Sequence, residues 1–432
     1  MPANDRVVSL EYLRGIAALL VLYAHVVILG GTDPVGPKSY FPMIDTVAAP
    51  PDNYTFWRQL VNAEIWLESF GVNAGHLGVG IFFLISGYVI MALIEKVGPS
   101  NFLIGRFFRI IPLSALVTLG GAAVFASYLA IRGHEQTYDL ETAIESAVLL
   151  PTRHPPMPVI WSLIAECWFY GVIAAAVAIR RTALSFSDIV ATSVGCLTVV
   201  VAVASNGSIL PSLISASNNL TFALSPIFFA YNLTFVSFIL IGSAAYRMQQ
   251  SKRYLSGVAA VGLLFAIFAA CFRLYDQLYP GTLGFSMTNF IVSLAVFSAF
   301  LISNRFIPKM RIAQFFADIS YPLYLVHIPL AWLLLFWMTK HGMNGLYAMI
   351  LTCITCIAAA YILHILVEVP THRYGKSFAN PGDAAAQLGR VRLRHAAADC
   401  AAASQAKVGP EIADRACTRG GHIHAPLTAI AS

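Results

Sequence analysis

The feature that most narrows the fold is the length of the apolar runs. A helix needs about 20 apolar residues to cross the hydrocarbon core of a bilayer. Ten runs of that order lie near residues 10–30, 76–94, 108–131, 159–179, 187–205, 222–246, 254–274, 285–304, 319–338 and 345–367. In hydrocarbon every backbone polar group must be satisfied inside the protein, so only helices and closed barrels span it. The dyad alternation of barrel strands is absent, and the runs read as helices. With 58% hydrophobic and 11% charged residues, the chain lies far from the roughly 25% charged composition of soluble domains. The expectation is an all-α polytopic membrane protein, a bundle of about ten transmembrane helices.

Loop charge sets the orientation, because cytoplasmic loops collect Lys and Arg. Taken alternately from the N-terminus, one set of connecting segments holds 14 Lys and Arg and the other holds 6. Both termini are therefore expected on the cytoplasmic side. Residues 1–376 form one transmembrane domain in this reading, and the Ala-rich stretch 377–432 is a disordered cytoplasmic tail. Two longer segments, 31–75 and 132–158, fall outside and are expected to shape an outer mouth. The net charge of +6 is spread over loops rather than gathered in a patch, which argues against nucleic acid as a partner. Seven cysteines scattered mostly in apolar runs make no disulfide framework, and Cys353 and Cys356 read as two small core residues. Nothing calls for a metal or redox cofactor.

Ionisable residues inside spans are costly and mark candidate sites. In the first run Arg14 and His25 are eleven residues apart, close to three helical turns, so they share one face about 16 Å apart along the axis. The plain alternatives are an arginine snorkelling to the cytoplasmic surface and a packing histidine. In GRFFRIIP, residues 105–112, Arg106 and Arg109 lie at i and i+3 on one face. Two guanidinium forks there can grip phosphate oxygens, although the positive-inside rule alone also yields such a pair. VIWSLIAECWFYG, residues 159–171, carries Ser162 and Glu166. A carboxylate at Glu166 suits either orientation of a catalytic histidine or a structural ion pair. SYPLYLVHIPL, residues 320–330, places His327 in a span with Tyr324 and Tyr321 about one and two turns before it, where tyrosines also serve as interfacial belts. HILVEVPTHRYGK, residues 364–376, ends the last run with Glu368 before Pro370, which a helix stop mostly explains.

These motifs, in this order and joined by GVGIFFLISGYVIM at residues 78–91, resemble the membrane-bound acyltransferase 3 family over roughly residues 8–376. Members of that family are bacterial inner-membrane proteins that O-acylate sugars of surface polysaccharides or small glycosylated molecules. The resemblance implies a catalytic role for His25, a partner role in the first helix for Arg14, and donor binding by Arg106 and Arg109. Two departures stand out. The family often has an acidic residue where this chain has Gly80, and often Asp and Gly where it has Glu11 and Tyr12. With about 55 residues after the bundle, no esterase-type domain is expected to follow it.

The resulting expectation is an O-acyltransferase of the inner (plasma) membrane. It moves an acyl group, most simply acetyl, from acyl-CoA to a hydroxyl of a carbohydrate or glycosylated small molecule. Its partners are then acyl-CoA, a carbohydrate or glycoside acceptor and membrane lipid, with the CoA thioester a donor substrate rather than a cofactor. His25 removes the hydroxyl proton or carries the acyl group covalently. Glu166 orients or charges that base, Arg14, Arg106 and Arg109 hold the donor, and His327, Tyr321, Tyr324 and Ser162 support them. The rival reading is a transporter or flippase for an oligosaccharide or lipid-linked sugar, which also needs polar groups between helices. Transporters often show repeated halves, and none is visible here.

Overall fold

The structure, a computed structural model, describes residues 7–28, 55–131, 139–150, 157, 159–205, 225–280 and 284–379. The expected tail beyond residue 379, and much of the two outer segments, lie outside the described residues. The chain divides into two units, Met1–His372 and Arg373–Ser432, and the first holds the helical bundle.

In chain order the helices are α1 (Val8–Tyr23), α2 (Thr55–Ser69), α3 (Ala74–Val97), α4 (Pro99–Ile131), α5 (Leu140–Ala147), α6 (Ile160–Arg180), α7 (Phe186–Ser205), α8 (Pro226–Ser251), α9 (Tyr254–Leu278), α10 (Met287–Ser303), α11 (Arg311–Asp318), α12 (Ser320–Lys340), α13 (Gly345–Leu363) and α14 (Val369–Ala379). A π turn, Ala24–Ile28, continues α1, and a second, His364–Glu368, joins α13 to α14. Among the described residues nine helices are long and apolar enough to cross a membrane, and a tenth arises if α11 and α12 form one span bent by 65°. Each of the ten expected runs falls on one of these spans. The protein is an all-α polytopic membrane protein.

Small residues let the central helices close up. α8 is the most enclosed span, with 83% of its apolar window buried by the rest of the protein, so it packs on neighbours rather than lipid. At its crossing with α3, a Cβ on Gly87 would stand 1.9 Å from the Ile239 carbonyl oxygen, and one on Gly242 would stand 2.1 Å from that of Leu84. No larger residue fits without moving backbone. Ser243 adds a bond across the same crossing, its hydroxyl donating to the Gly87 carbonyl at 3.0 Å. Close backbone approach through small residues, joined by an interhelical hydrogen bond, is how helices associate where lipid supplies no hydrophobic drive.

The bend between α11 and α12 leaves helix-end carbonyls without helical partners. Arg14 on α1 supplies one: its Nε and Nη2 both donate to the Ala317 carbonyl, at 3.2 and 2.6 Å. The Ser320 hydroxyl donates to the same oxygen at 2.8 Å. A cation at the C-terminal end of a helix also complements its dipole. Ser9 N donates to Asn304 Oδ1 at 3.0 Å, and Met310 N donates to the Tyr12 hydroxyl. α1 is thereby fixed along the whole segment that leads into α12. This fixing sets the register between His25 and His327.

Candidate active site

His25 stands in the π turn that ends α1, and single π turns inside helices recur at functional sites. Its Nδ1 lies 2.9 Å from the Val21 carbonyl. A carbonyl only accepts, so Nδ1 carries the proton and the neutral ring keeps its lone pair on Nε2. His327, on α12, repeats the pattern, with Nδ1 3.0 Å from the Leu323 carbonyl. Its own bare Nε2 therefore faces His25 Nδ1, at 3.3 Å. The two rings lie 4.9 Å apart and tilted by 58°. The His25 N–H thus sees two acceptors, Val21 O and His327 Nε2, while its basic nitrogen points elsewhere. His327 is buried, at 1% exposure, and His25 is partly accessible.

Below this pair lies a cleft of about 830 Å³, its mouth included, bordered by α1, α3, α4, α6 and α12. Arg14, Arg106 and Arg109 line it together with one carboxylate, Glu166. Three guanidinium groups thus stand against one carboxylate in the lining. Arg106 lies over the rings of Phe102 and Tyr170, 5.8 Å from each centroid, within cation–π reach of both. Arg109 is 4.0 Å from Glu368, whose other oxygen lies 2.7 Å from His364 Nδ1. The second π turn places both Glu368 and His364. Glu368, which the sequence presents as part of a helix stop, is a buried counter-charge to one of the paired arginines.

Glu166 is where the sequence reading and the structure part. The sequence reading sets it beside His25, but its Oε1 accepts from the Ser86 hydroxyl at 2.6 Å and from the Tyr170 hydroxyl. The partner that holds His25 is His327. The reason is axial position: Ser162, one turn before Glu166 on α6, already lies at the level of Tyr324, so Glu166 falls a turn further from the histidines. Glu166 is instead the acidic group at the arginine end, accepting from the hydroxyl of Tyr170, over whose ring Arg106 lies. Tyr321 donates to the Ile110 carbonyl at 2.8 Å, tying α12 to α4. Tyr324 and Ser162 have their hydroxyl oxygens 2.5 Å apart, at the end of the cleft nearest His327. The cleft thus gathers Arg14, Arg106, Arg109, Glu166, Tyr321, Tyr324 and Ser162, but its lining includes neither histidine.

Gly80 shows how one departure from the family pattern is accommodated. A Cβ there would lie 2.4 Å from Ser293 Oγ on α10. The position faces a neighbouring helix, and an acidic side chain would not fit as the chain is packed.

On the far side of His25, sequence reasoning missed a cap. Glu64 on α2 is buried, at 1% exposure, and its Oε1 accepts from Ala74 N at 2.8 Å. Asn73 caps α3 by accepting from Gly75 N and His76 N, and its own N–H donates to Asn289 Oδ1 at 2.8 Å. Tyr23 donates to the Leu60 carbonyl at 3.0 Å, so α2 is tied to the residues around the His25 turn. Burial holds the Glu64 carboxyl above its ordinary value, with the Ala74 N–H opposing. An Asn before a helix is a legible cap, whereas nothing local distinguishes Glu64 from a solvated helix residue.

Comparison with curated proteins and with solved structures finds no match. A family model described as an acyltransferase domain, that of acyltransferase 3, matches residues 7–365. The match runs from the start of α1 into the second π turn and takes in every element that lines the cleft. The chain therefore belongs to the acyltransferase 3 family, and it is a membrane-embedded acyltransferase.

Proposed function

We propose that the protein transfers an acyl group, most simply acetyl, from acyl-CoA to a hydroxyl of a carbohydrate or glycosylated small molecule, in the inner membrane of a bacterium. The observation that carries the donor is the arginine end of the cleft. Coenzyme A presents phosphates and a slender pantetheine arm. Guanidinium forks suit the phosphates, and an apolar-walled cleft suits the arm. The basic loops lie on the same side as these arginines, which is the cytoplasmic side in the orientation read from loop charge. Acyl-CoA is available there.

At the other end His25 supplies the base. With Nδ1–H committed to Val21 O and His327, its Nε2 removes the proton of the attacking hydroxyl. The hydroxyl oxygen bonds the thioester carbon, the carbon–sulfur bond breaks, and the departing thiolate takes the proton back from Nε2. Products are the ester and free CoA, so atoms and charge balance without a redox step. As His25 becomes cationic its N–H bonds strengthen, because a charged donor bonds more tightly than a neutral one. Val21 O and His327 are thereby stabilisers of the transition state more than of the ground state, which is what accelerates the chemistry.

Arg106→Ala with Arg109→Ala is the test of the donor assignment. Acetyl-CoA KM should rise by about tenfold or more for each arginine–phosphate hydrogen bond removed, with acceptor KM little changed. An unaltered donor KM in the double variant would leave the arginines as orientation signals only.

A further inference from the structure

The cleft stops short of the histidines, and one side chain stands where it stops. Tyr324 lines the cleft, and its ring lies 6.0 Å from that of His327. On its other side the ring meets Phe82 of α3 edge to face, at 5.7 Å. The phenol is held at its tip. Its oxygen is 2.5 Å from Ser162 Oγ, and the two hydroxyls lie 3.2 and 3.1 Å from the Val159 carbonyl; with one proton each, one donates to the carbonyl and the other to its partner hydroxyl. Three helices meet at this point: α12 gives the ring, α6 the hydroxyl and α3 the aromatic wall.

We infer that Tyr324, latched to Ser162 and the Val159 carbonyl, is the acyl-chain selector of the donor cleft. The inference rests on the donor assignment above. A thioester rising from the arginine end meets the Tyr324 ring before it meets His25. To pass, it must turn the ring and release a buried pair of hydroxyls from each other. The ring that turns is confined by Phe82 and by the buried His327, so the space it vacates is that of a few heavy atoms. An acetyl thioester fits such a gap, and a longer alkyl chain has nowhere to extend. The latch also gives a reason for two hydroxyls and a carbonyl to gather deep in an apolar region. They keep a movable ring in one position until a donor displaces it.

The experiment compares acetyl-, butyryl- and octanoyl-CoA as donors, read as free thiol released by membranes of expressing cells supplied with envelope polysaccharide. The wild type should favour acetyl-CoA. Tyr324→Ala should raise the kcat/KM ratio of octanoyl- to acetyl-CoA by about tenfold or more, the scale on which a closed pocket discriminates chain length. Ser162→Ala keeps the ring but removes one of its two latch partners, leaving only the Val159 carbonyl, and should raise the butyryl ratio with a smaller gain for octanoyl. If Tyr324→Ala does not fold, Ser162→Ala alone decides: a raised butyryl ratio supports the selector and an unchanged one overturns it. Wild-type turnover of acetyl-CoA with the same chain-length profile in both variants overturns the selector while leaving the donor assignment intact. Release of thiol from none of the three donors by the wild type overturns the functional reading and the selector with it.

Discussion

Replacing His327 by Phe keeps most of the ring volume and removes one acceptor from the His25 N–H. In the ground state that acceptor is a long neutral contact, 3.3 Å, shared with Val21 O at 2.9 Å, and its loss costs little. When His25 takes a proton the same contact bonds a cation. Hydrogen bonds to charged groups contribute about 1.5–3 kcal/mol, and the length and sharing of this one place it at the low end, near about 1.5 kcal/mol. That corresponds to about a tenfold fall in kcat. Donor KM should not move, because His327 does not line the cleft. His327→Gln, whose amide oxygen can reach the same N–H, should recover most of the loss. Steady-state kinetics with acetyl-CoA on the purified protein in nanodiscs would measure all three. A kcat unchanged in the Phe variant would remove His327 from the transition state, and equal collapse of the Phe and Gln variants would mark a packing role in place of an electrostatic one.

His25→Ala should lower kcat by about 100- to 10,000-fold, the range of a general base, with the protein still recovered folded; a loss under about tenfold would put the base elsewhere. Gly87→Ala forces a methyl against the Ile239 carbonyl, so thermal unfolding in detergent should show a loss of about 1–3 kcal/mol, and an unchanged melting temperature would contradict the crossing geometry. Glu64 has its carboxyl raised above 4.5 by burial, so the fold favours its protonated form. Its contribution is complete below that value and fades as pH rises through the raised one. Glu64→Gln should therefore flatten the stability profile as pH rises out of the ordinary carboxylate range; a parallel profile would show that Glu64 does not titrate in the folded protein. Single cysteines at Ser39 and Thr137, in a background with the native cysteines replaced, should react with an impermeant thiol reagent on intact spheroplasts. Labelling only after lysis would invert the topology.

The ten spans are legible because apolar length is a one-dimensional property, written in the sequence regardless of tertiary contacts. Even the bent span is visible as a run at 319–338, although nothing in that run announces a helix end at Asp318. At the bend a carbonyl is bonded by Arg14, far earlier in the chain. Arg14 stands out for its charge in a span, yet its main partner, a backbone carbonyl on another helix, leaves no mark in the sequence. Glu166 shows the same limit from the other side. A carboxylate in an apolar helix declares that it has partners, but which ones depends on helix register, and Ser86, an ordinary serine among apolar residues, gives no signal. His327 stands out for its ring in a span, and its pairing with His25 follows only once α1 and α12 are set side by side. Glu368 is hidden by Pro370, since a helix stop explains its neighbourhood well enough.

The central claim is that a donor held at the arginines delivers its acyl group at His25. The most direct measurement uses acetyl-CoA labelled in its acetyl group, given to membrane vesicles that carry either the wild-type protein or His25→Ala, with label in the carbohydrate fraction and free thiol followed together. The account predicts equal amounts of carbohydrate-bound acetyl and free CoA in wild-type vesicles, and neither above background in the variant. Labelled carbohydrate at wild-type levels in the His25→Ala vesicles, or movement of carbohydrate across the wild-type membrane with no thiol released, would contradict it.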